Sequence, residues 1–144
     1  MSITVQGSKG LKAQFSSLAT VSQGKSLERA VVSGGLLIQN EAKRRAPWLT
    51  GNLRRSLHIG GHQDLNPGGE GVIARTGAGL PQPEIGPHSA AIYIGTDVIY
   101  APTQEFGRDA IPAQPYLRPA FDTQKAAAVQ EIGEALVDLI RAAI

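Results

Sequence analysis

Ser26-Leu27-Glu28-Arg29-Ala30-Val31-Val32-Ser33-Gly34-Gly35-Leu36-Leu37-Ile38-Gln39-Asn40-Glu41-Ala42-Lys43-Arg44-Arg45-Ala46 is the stretch on which the fold turns. Within it Leu27, Ala30, Val31, Gly34, Leu37, Ile38, Glu41 and Ala42 recur at the spacings that gather a stripe onto one helical face. Ser26 reads as the N-cap, a residue whose hydroxyl accepts one of the orphan amides of the first turn. Gly34-Gly35 weakens a helix by roughly 1 kcal/mol per glycine relative to alanine, so the pair is expected where a neighbouring element approaches closely. Lys43, Arg44 and Arg45 favour the carbonyl end of the helix dipole, and Pro47 disfavours a helical Ala46. The helix is predicted over about residues 26–46.

Working outward, a second long helix is predicted from Pro119 to about residue 143. Its packing stripe is Phe121, Lys125, Ala128, Val129, Ile132, Leu136, Leu139, Ile140 and Ala143, with the Lys125 stem along the margin. Upstream, Ile3 and Val5 alternate with Ser2 and Thr4 as a short strand would. Leu11, Phe15 and Leu18 then repeat as on a short helix that ends at Ser22-Gln23-Gly24. Between the long helices, from Asn52 to Ala101, the texture is of short strands, Leu57 with Ile59, Val72 with Ala74 and Ile92 with Ile94. Long loops at residues 60–71 and 77–88 separate them, the second holding Pro81, Pro83 and Pro87. The expected architecture is one α+β domain over residues 1–144, with two long helices packed on a small antiparallel sheet.

Composition agrees with a folded chain: of 144 residues, 42% are apolar and 18% charged. A chain of this size buries about 70% of its unfolded surface around one core. The longest apolar stretches, Val31 to Ile38 and Ala126 to Val129, fall far short of the about 20 residues that a membrane span needs. Met1-Ser2-Ile3-Thr4-Val5 lacks the basic and then apolar blocks of a secretory signal, so a cytoplasmic site of synthesis is expected. With no cysteine, disulfides, thiolate metal sites and a cysteine nucleophile are excluded together. The net charge of +2 conceals a split, for residues 1–60 carry nine Lys or Arg against two Glu, and the rest five against ten acidic residues. Such a split suits nucleic acid, or copies joined with a basic face against an acidic one.

The chemistry-bearing residues converge poorly. His58, His62 and Asp64 could imitate a metal cluster but have no spacing with a coordination logic. Ser56 and His58, placed on one strand face, lack a group to orient the base and an oxyanion site. Gly60-Gly61 and Gly68-Gly69-Glu70-Gly71 precede a predicted strand rather than the helix and lysine that a phosphate loop requires. Glu84, Asp97, Glu105 and Asp109 are scattered, with no reason in the sequence to pair. The basic residues at 43–45 and 54–55 could meet phosphates, but Trp48 is the one aromatic beside them and no helix-turn-helix or zinc finger appears.

Two stretches carry more. The first is Ala42-Lys43-Arg44-Arg45-Ala46-Pro47-Trp48-Leu49-Thr50-Gly51-Asn52-Leu53-Arg54-Arg55-Ser56-Leu57, read as a helix end, a proline stop and a Thr-Gly turn into a strand. The second is Tyr100-Ala101-Pro102-Thr103-Gln104-Glu105-Phe106-Gly107, followed by Ile111-Pro112-Ala113-Gln114-Pro115-Tyr116-Leu117-Arg118-Pro119-Ala120. In order and spacing, over about residues 3–140, they resemble the tail-component family of lambda-like siphophages, whose members are tail-completion or head-tail joining proteins. That family ends a helix in Ala-Lys-x-x-Ala-Pro, continues with Thr-Gly-x-Leu-Arg-x-Ser, and later shows Tyr-Ala-x-x-x-Glu-Phe-Gly-Thr and Ala-x-Pro-Phe-Leu-Arg-Pro-Ala. This chain departs from it at Arg108, where threonine is usual, and at Tyr116, where phenylalanine is common.

The resemblance implies a structural, non-enzymatic virion protein without cofactor or metal, assembled in the bacterial host cytoplasm. It implies a hexameric ring at the head-proximal end of the tail, between the tail tube or terminator and the head connector, with DNA passing through the lumen. The residues expected at subunit interfaces are Lys43, Arg44, Arg45, Arg54, Arg55, Glu105, Phe106, Arg108 and Arg118. Glu105 and Phe106, beside Gly107, would form an anchor, the ring packing and the carboxylate meeting Arg118 within the chain or Arg54 or Arg55 across a subunit boundary. The alternative reading is a non-enzymatic DNA-binding accessory protein.

Overall fold

The computed structural model describes residues 8–21, 23–48, 51–60 and 80–143. In chain order these form α1 (Ser8–Val21), α2 (Gly24–Arg45), α3 (Asn52–Ser56), β1 (His58–Ile59), β2 (Glu84–Ile85), β3 (Ala90–Ala91), β4 (Ile94–Gly95), α4 (Ala101–Phe106) and α5 (Leu117–Ala143). The α+β class and both long helices stand as expected, and α1 occupies the place of the predicted short helix. The strands expected at Ile3–Val5 and at Val72–Ala74 lie outside the described residues, as do His62, Asp64 and Gly68–Gly71.

Antiparallel packing of α2 against α5 forms the body. Gly34 lies so close to α5 that a Cβ there would stand 2.6 Å from the Ala128 carbonyl oxygen and 2.7 Å from Ile132. The absent side chain is thus what allows the helices to meet, and Gly35 does the same for Ile92 on the opposite flank. Further along, Ala42 and Ala46 share a buried cluster with Leu53, Leu57, Val98, Ala101, Tyr116 and Ala120. Small residues on the two long helices therefore set their separation, and Leu57 with Tyr116 fills the space at one end. Gln39, buried, donates from Nε2 to the Leu57 carbonyl at 2.9 Å and so ties α2 to the start of β1.

Strand pairing is slight: β1 runs antiparallel to β4, with His58 opposite Gly95 and Ile59 opposite Ile94, and β2 to β3, with Glu84 opposite Ala91. Four readings of the sequence change. The N-cap position of α2 is Gln23, with extended φ and ψ of −74° and 147°, while Ser26 falls inside the first turn. Asn52 to Ser56 is helical rather than extended, because Gly51 takes φ of +70° and turns the chain straight into α3. The proline-rich stretch expected as a loop holds the β2–β3 hairpin, whose turn is closed by Gly86 N–H donating to Ser89 O at 2.9 Å. Lastly, α5 opens at Leu117, so that Pro119 sits in the first turn, where a missing N–H costs no intrahelical bond.

Ile92 belongs to no strand and leans on α2 instead. The predicted stripe of α5 also divides. Ala128 is buried and Ile132, Leu136 and Leu139 are half-buried, while Phe121, Val129 and Ile140 face outward.

Candidate functional site

The sequence candidates separate into two surfaces and a hairpin tip. At the carboxyl end of α2, Arg44 and Arg45 converge on Glu41, whose side chain is almost wholly buried, with N–O distances of 2.5 Å from each. Burial opposes charge on Glu41, but the two guanidinium bonds outweigh it and hold its carboxyl below the usual range. Burial likewise pulls the Lys43 ammonium below its ordinary value. Arg54 arrives from α3, stacks 4.7 Å from the centre of the Trp48 ring, and donates from Nη2 to the Ala46 carbonyl at 3.2 Å. It thereby caps a carbonyl that the end of α2 leaves without a helical partner. Its Nε is buried with no partner among the described residues. Trp48 remains 66% exposed, and Arg55 is exposed beside it. Arg54 and Arg55 thus stand at an open indole ring, close to the Glu41–Arg44–Arg45 cluster that ends α2.

The second surface is built by α4, an element that the sequence reading did not anticipate. Pro102 opens it and Gly107, with φ of +74°, ends it. On its last turn Glu105 points at the amino end of α5 and accepts backbone N–H bonds from Tyr116, Leu117 and Arg118 at 2.8, 2.9 and 2.9 Å. Burial would raise the Glu105 pKa, but these amides, helped by the Arg118 charge, hold it below the ordinary range. Within one chain, the anchor expected from sequence takes a different form. The carboxylate is engaged by helix amides rather than by a guanidinium side chain, and Phe106 is 73% exposed instead of packed.

Phe106 and Phe121, itself 53% exposed, stand among the lining of an open cavity of about 710 Å³. Its floor is Gly34, Ile38, Ala128 and Ile132 from the long helices, and Ile94 closes another side. Except for Glu105, Arg118 and Thr96, the named lining is almost entirely apolar. Arg108 lies apart, at a tight turn where it exchanges backbone bonds with Ile111 and pairs loosely with Asp109 at 3.5 Å.

Catalytic readings fare poorly on geometry. The Ser56 hydroxyl is buried, donates to the Leu53 carbonyl at 2.7 Å and meets Thr96 Oγ1 at 2.6 Å. His58 Nδ1 turns to the Ser56 carbonyl at 2.7 Å, not to the hydroxyl. Among the described residues no group of three His, Asp or Glu could hold a metal ion, and no helix is long and apolar enough to cross a membrane.

A family described as "Bacteriophage HK97-gp10, putative tail-component" matches residues 9–107. The chain belongs to this family. The match takes in α1, α2, the basic surface and α4 up to Gly107, whereas the Pro-Tyr-Leu-Arg-Pro-Ala segment and α5 lie beyond it. No curated protein and no solved structure matches the chain. Membership of a bacteriophage tail-component family gives the chain a place among virion proteins and the company of other virion proteins.

The first stretch quoted from the sequence and the part of the second at residues 100–107 fall within the family match, but the sequence does not announce the side chains that give them a surface. Trp48 reads in the sequence only as an isolated aromatic, and the Arg54 guanidinium over its ring comes from α3, a helix the sequence does not announce. Phe121 falls in the predicted packing stripe of α5, and nothing in its helical spacing distinguishes core from surface.

Proposed function

We propose that the chain is a tail-completion subunit that forms a ring at the head-proximal end of the tail, between the tail tube or terminator and the head connector. The observation that carries the reading is the open apolar cavity with Phe106 and Phe121 exposed at its edge. Val129, Val137 and Ile140 add further exposed apolar side chains along α5. Exposed apolar surface beside a preformed groove is the mark of a protein–protein contact. Glu105 serves such a contact indirectly, since its bonds to the α5 amides fix α4 and with it Phe106. Family membership supplies the setting, and a second copy of the chain is the occupant that a ring requires.

A phage carrying Phe106→Asp and Phe121→Asp tests this. Both positions are exposed, so the purified variant should keep the melting temperature of the parent chain. Electron microscopy of lysates should show heads and tails accumulating separately, and sedimentation should show loss of self-association. Full infectivity with joined particles would overturn the assignment.

A further inference from the structure

We infer that the carboxyl end of α2 is a contact surface for the phosphate backbone of duplex DNA. Lys43, Arg44 and Arg45 end α2 and Arg54 and Arg55 follow in α3, while Glu41 meets Arg44 and Arg45, which leaves more positive charge here than a helix carboxyl terminus asks for. Three of the guanidinium groups are held rather than left free to wander. Glu41 orients Arg44 and Arg45, and Arg54 is fixed between the Trp48 ring and the Ala46 carbonyl. The Arg54 Nη2 also lies 3.5 Å from the Arg44 carbonyl, so the charges of α3 abut the last turn of α2. Guanidinium groups fixed in this way lose little freedom on meeting phosphates, for which their planar fork is suited.

Duplex rather than single-stranded nucleic acid fits the site. Single strands are held by successive aromatic platforms, and here one indole is present with Arg54 on one of its faces. Binding is sequence-independent, because Lys43, Arg44 and Arg45 end their helix rather than begin it and α3, of five residues, is too short to lie along a groove. The inference stands on charge and geometry, independently of the ring.

Fluorescence anisotropy with the full chain and a labelled 30-base-pair duplex of mixed sequence tests it. With the exposed Arg44, Arg45 and Arg55 as three phosphate contacts, log K falls against log salt with a slope of about −2.7, which is about 40-fold between 50 and 200 mM NaCl. In Arg44→Gln/Arg55→Gln the slope should fall to about −0.9, which is about 4-fold over the same range. Absence of binding by the parent chain at 50 mM, or a slope unchanged in the double variant, would overturn the inference. So would a double variant that keeps its DNA affinity but loses self-association, since the surface would then belong to a protein partner. The Phe106/Phe121 variant, whose cations are intact, should bind the duplex as the parent does, so failure of the ring reading and failure of this one are told apart.

Discussion

Replacing Glu105 should reveal how the two halves of the second motif are joined. In Glu105→Ala the amides of Tyr116, Leu117 and Arg118, now bonded at 2.8 to 2.9 Å, lose a charged acceptor at the positive end of a 27-residue helix. A hydrogen bond to a charged group contributes about 1.5–3 kcal/mol, but this carboxylate is only half-buried, so solvent takes over part of its work. A helix-cap replacement alone costs about 0.5–2 kcal/mol, and about 2–3 kcal/mol is expected here. For a domain of this size that lowers the melting temperature by roughly 5–10 °C. Glu105→Gln keeps one acceptor oxygen but brings an NH2 group against amide donors, and should lose about half as much.

The pH dependence identifies the cause. Because folding lowers the Glu105 pKa beneath its ordinary value of 4.5, the carboxylate stabilises the fold fully above that value and loses its effect as pH falls through the folded pKa. The melting-temperature gap between the parent chain and Glu105→Gln should therefore stay constant from pH 7 to about pH 5 and close below it. Glu41, whose pKa is also lowered, is present in both proteins and cancels in the difference. Calorimetry or circular dichroism across that range gives the answer, and a gap that ignores pH would refute the carboxylate–amide account.

Gly34→Ala places a Cβ 2.6 Å from the Ala128 carbonyl and should cost about 1–3 kcal/mol in urea titrations, despite alanine's better helix propensity. Gly133→Ala meets nothing within 4 Å and should instead raise stability by about 0.5–1 kcal/mol, a sign difference that tests the packing read at each glycine. Leu57→Ala empties a fully buried position and should cost about 2–5 kcal/mol by the same measurement. Tyr100→Phe removes the hydroxyl that accepts from Asn52 Nδ2 at 2.8 Å, and about 1 kcal/mol of destabilisation should follow.

What the sequence disclosed follows the range of each interaction. The α2 stripe, its stop at Pro47 and the need for close approach at Gly34 are local or periodic signals, and each has its counterpart in the structure. The α3 helix was hidden because its start depends on a single positive φ at Gly51, which glycine permits without requiring. The six residues of α4 are too few for a period to show, and they take a helical form where Pro102 opens them and Glu105 bonds to α5. That contact joins residues more than ten apart in the chain, so no window along the sequence contains its reason.

The exposed apolar residues mark a different kind of boundary. Phe121, Val129 and Ile140 obey the same helical spacing as Ala128 and Ile132, because every face of a helix repeats with the same period. Periodicity states that a face will be buried without stating by which chain. In a monomer whose core accounted for every apolar position, the sequence stripe and the buried stripe of α5 would coincide. Here the buried stripe is the narrower, and the difference, Phe121 with Phe106 beside an apolar cavity and Val129 farther along the same helix, is surface that the fold of one copy leaves uncovered. That remainder becomes measurable only once the intrachain contacts are subtracted from the pattern.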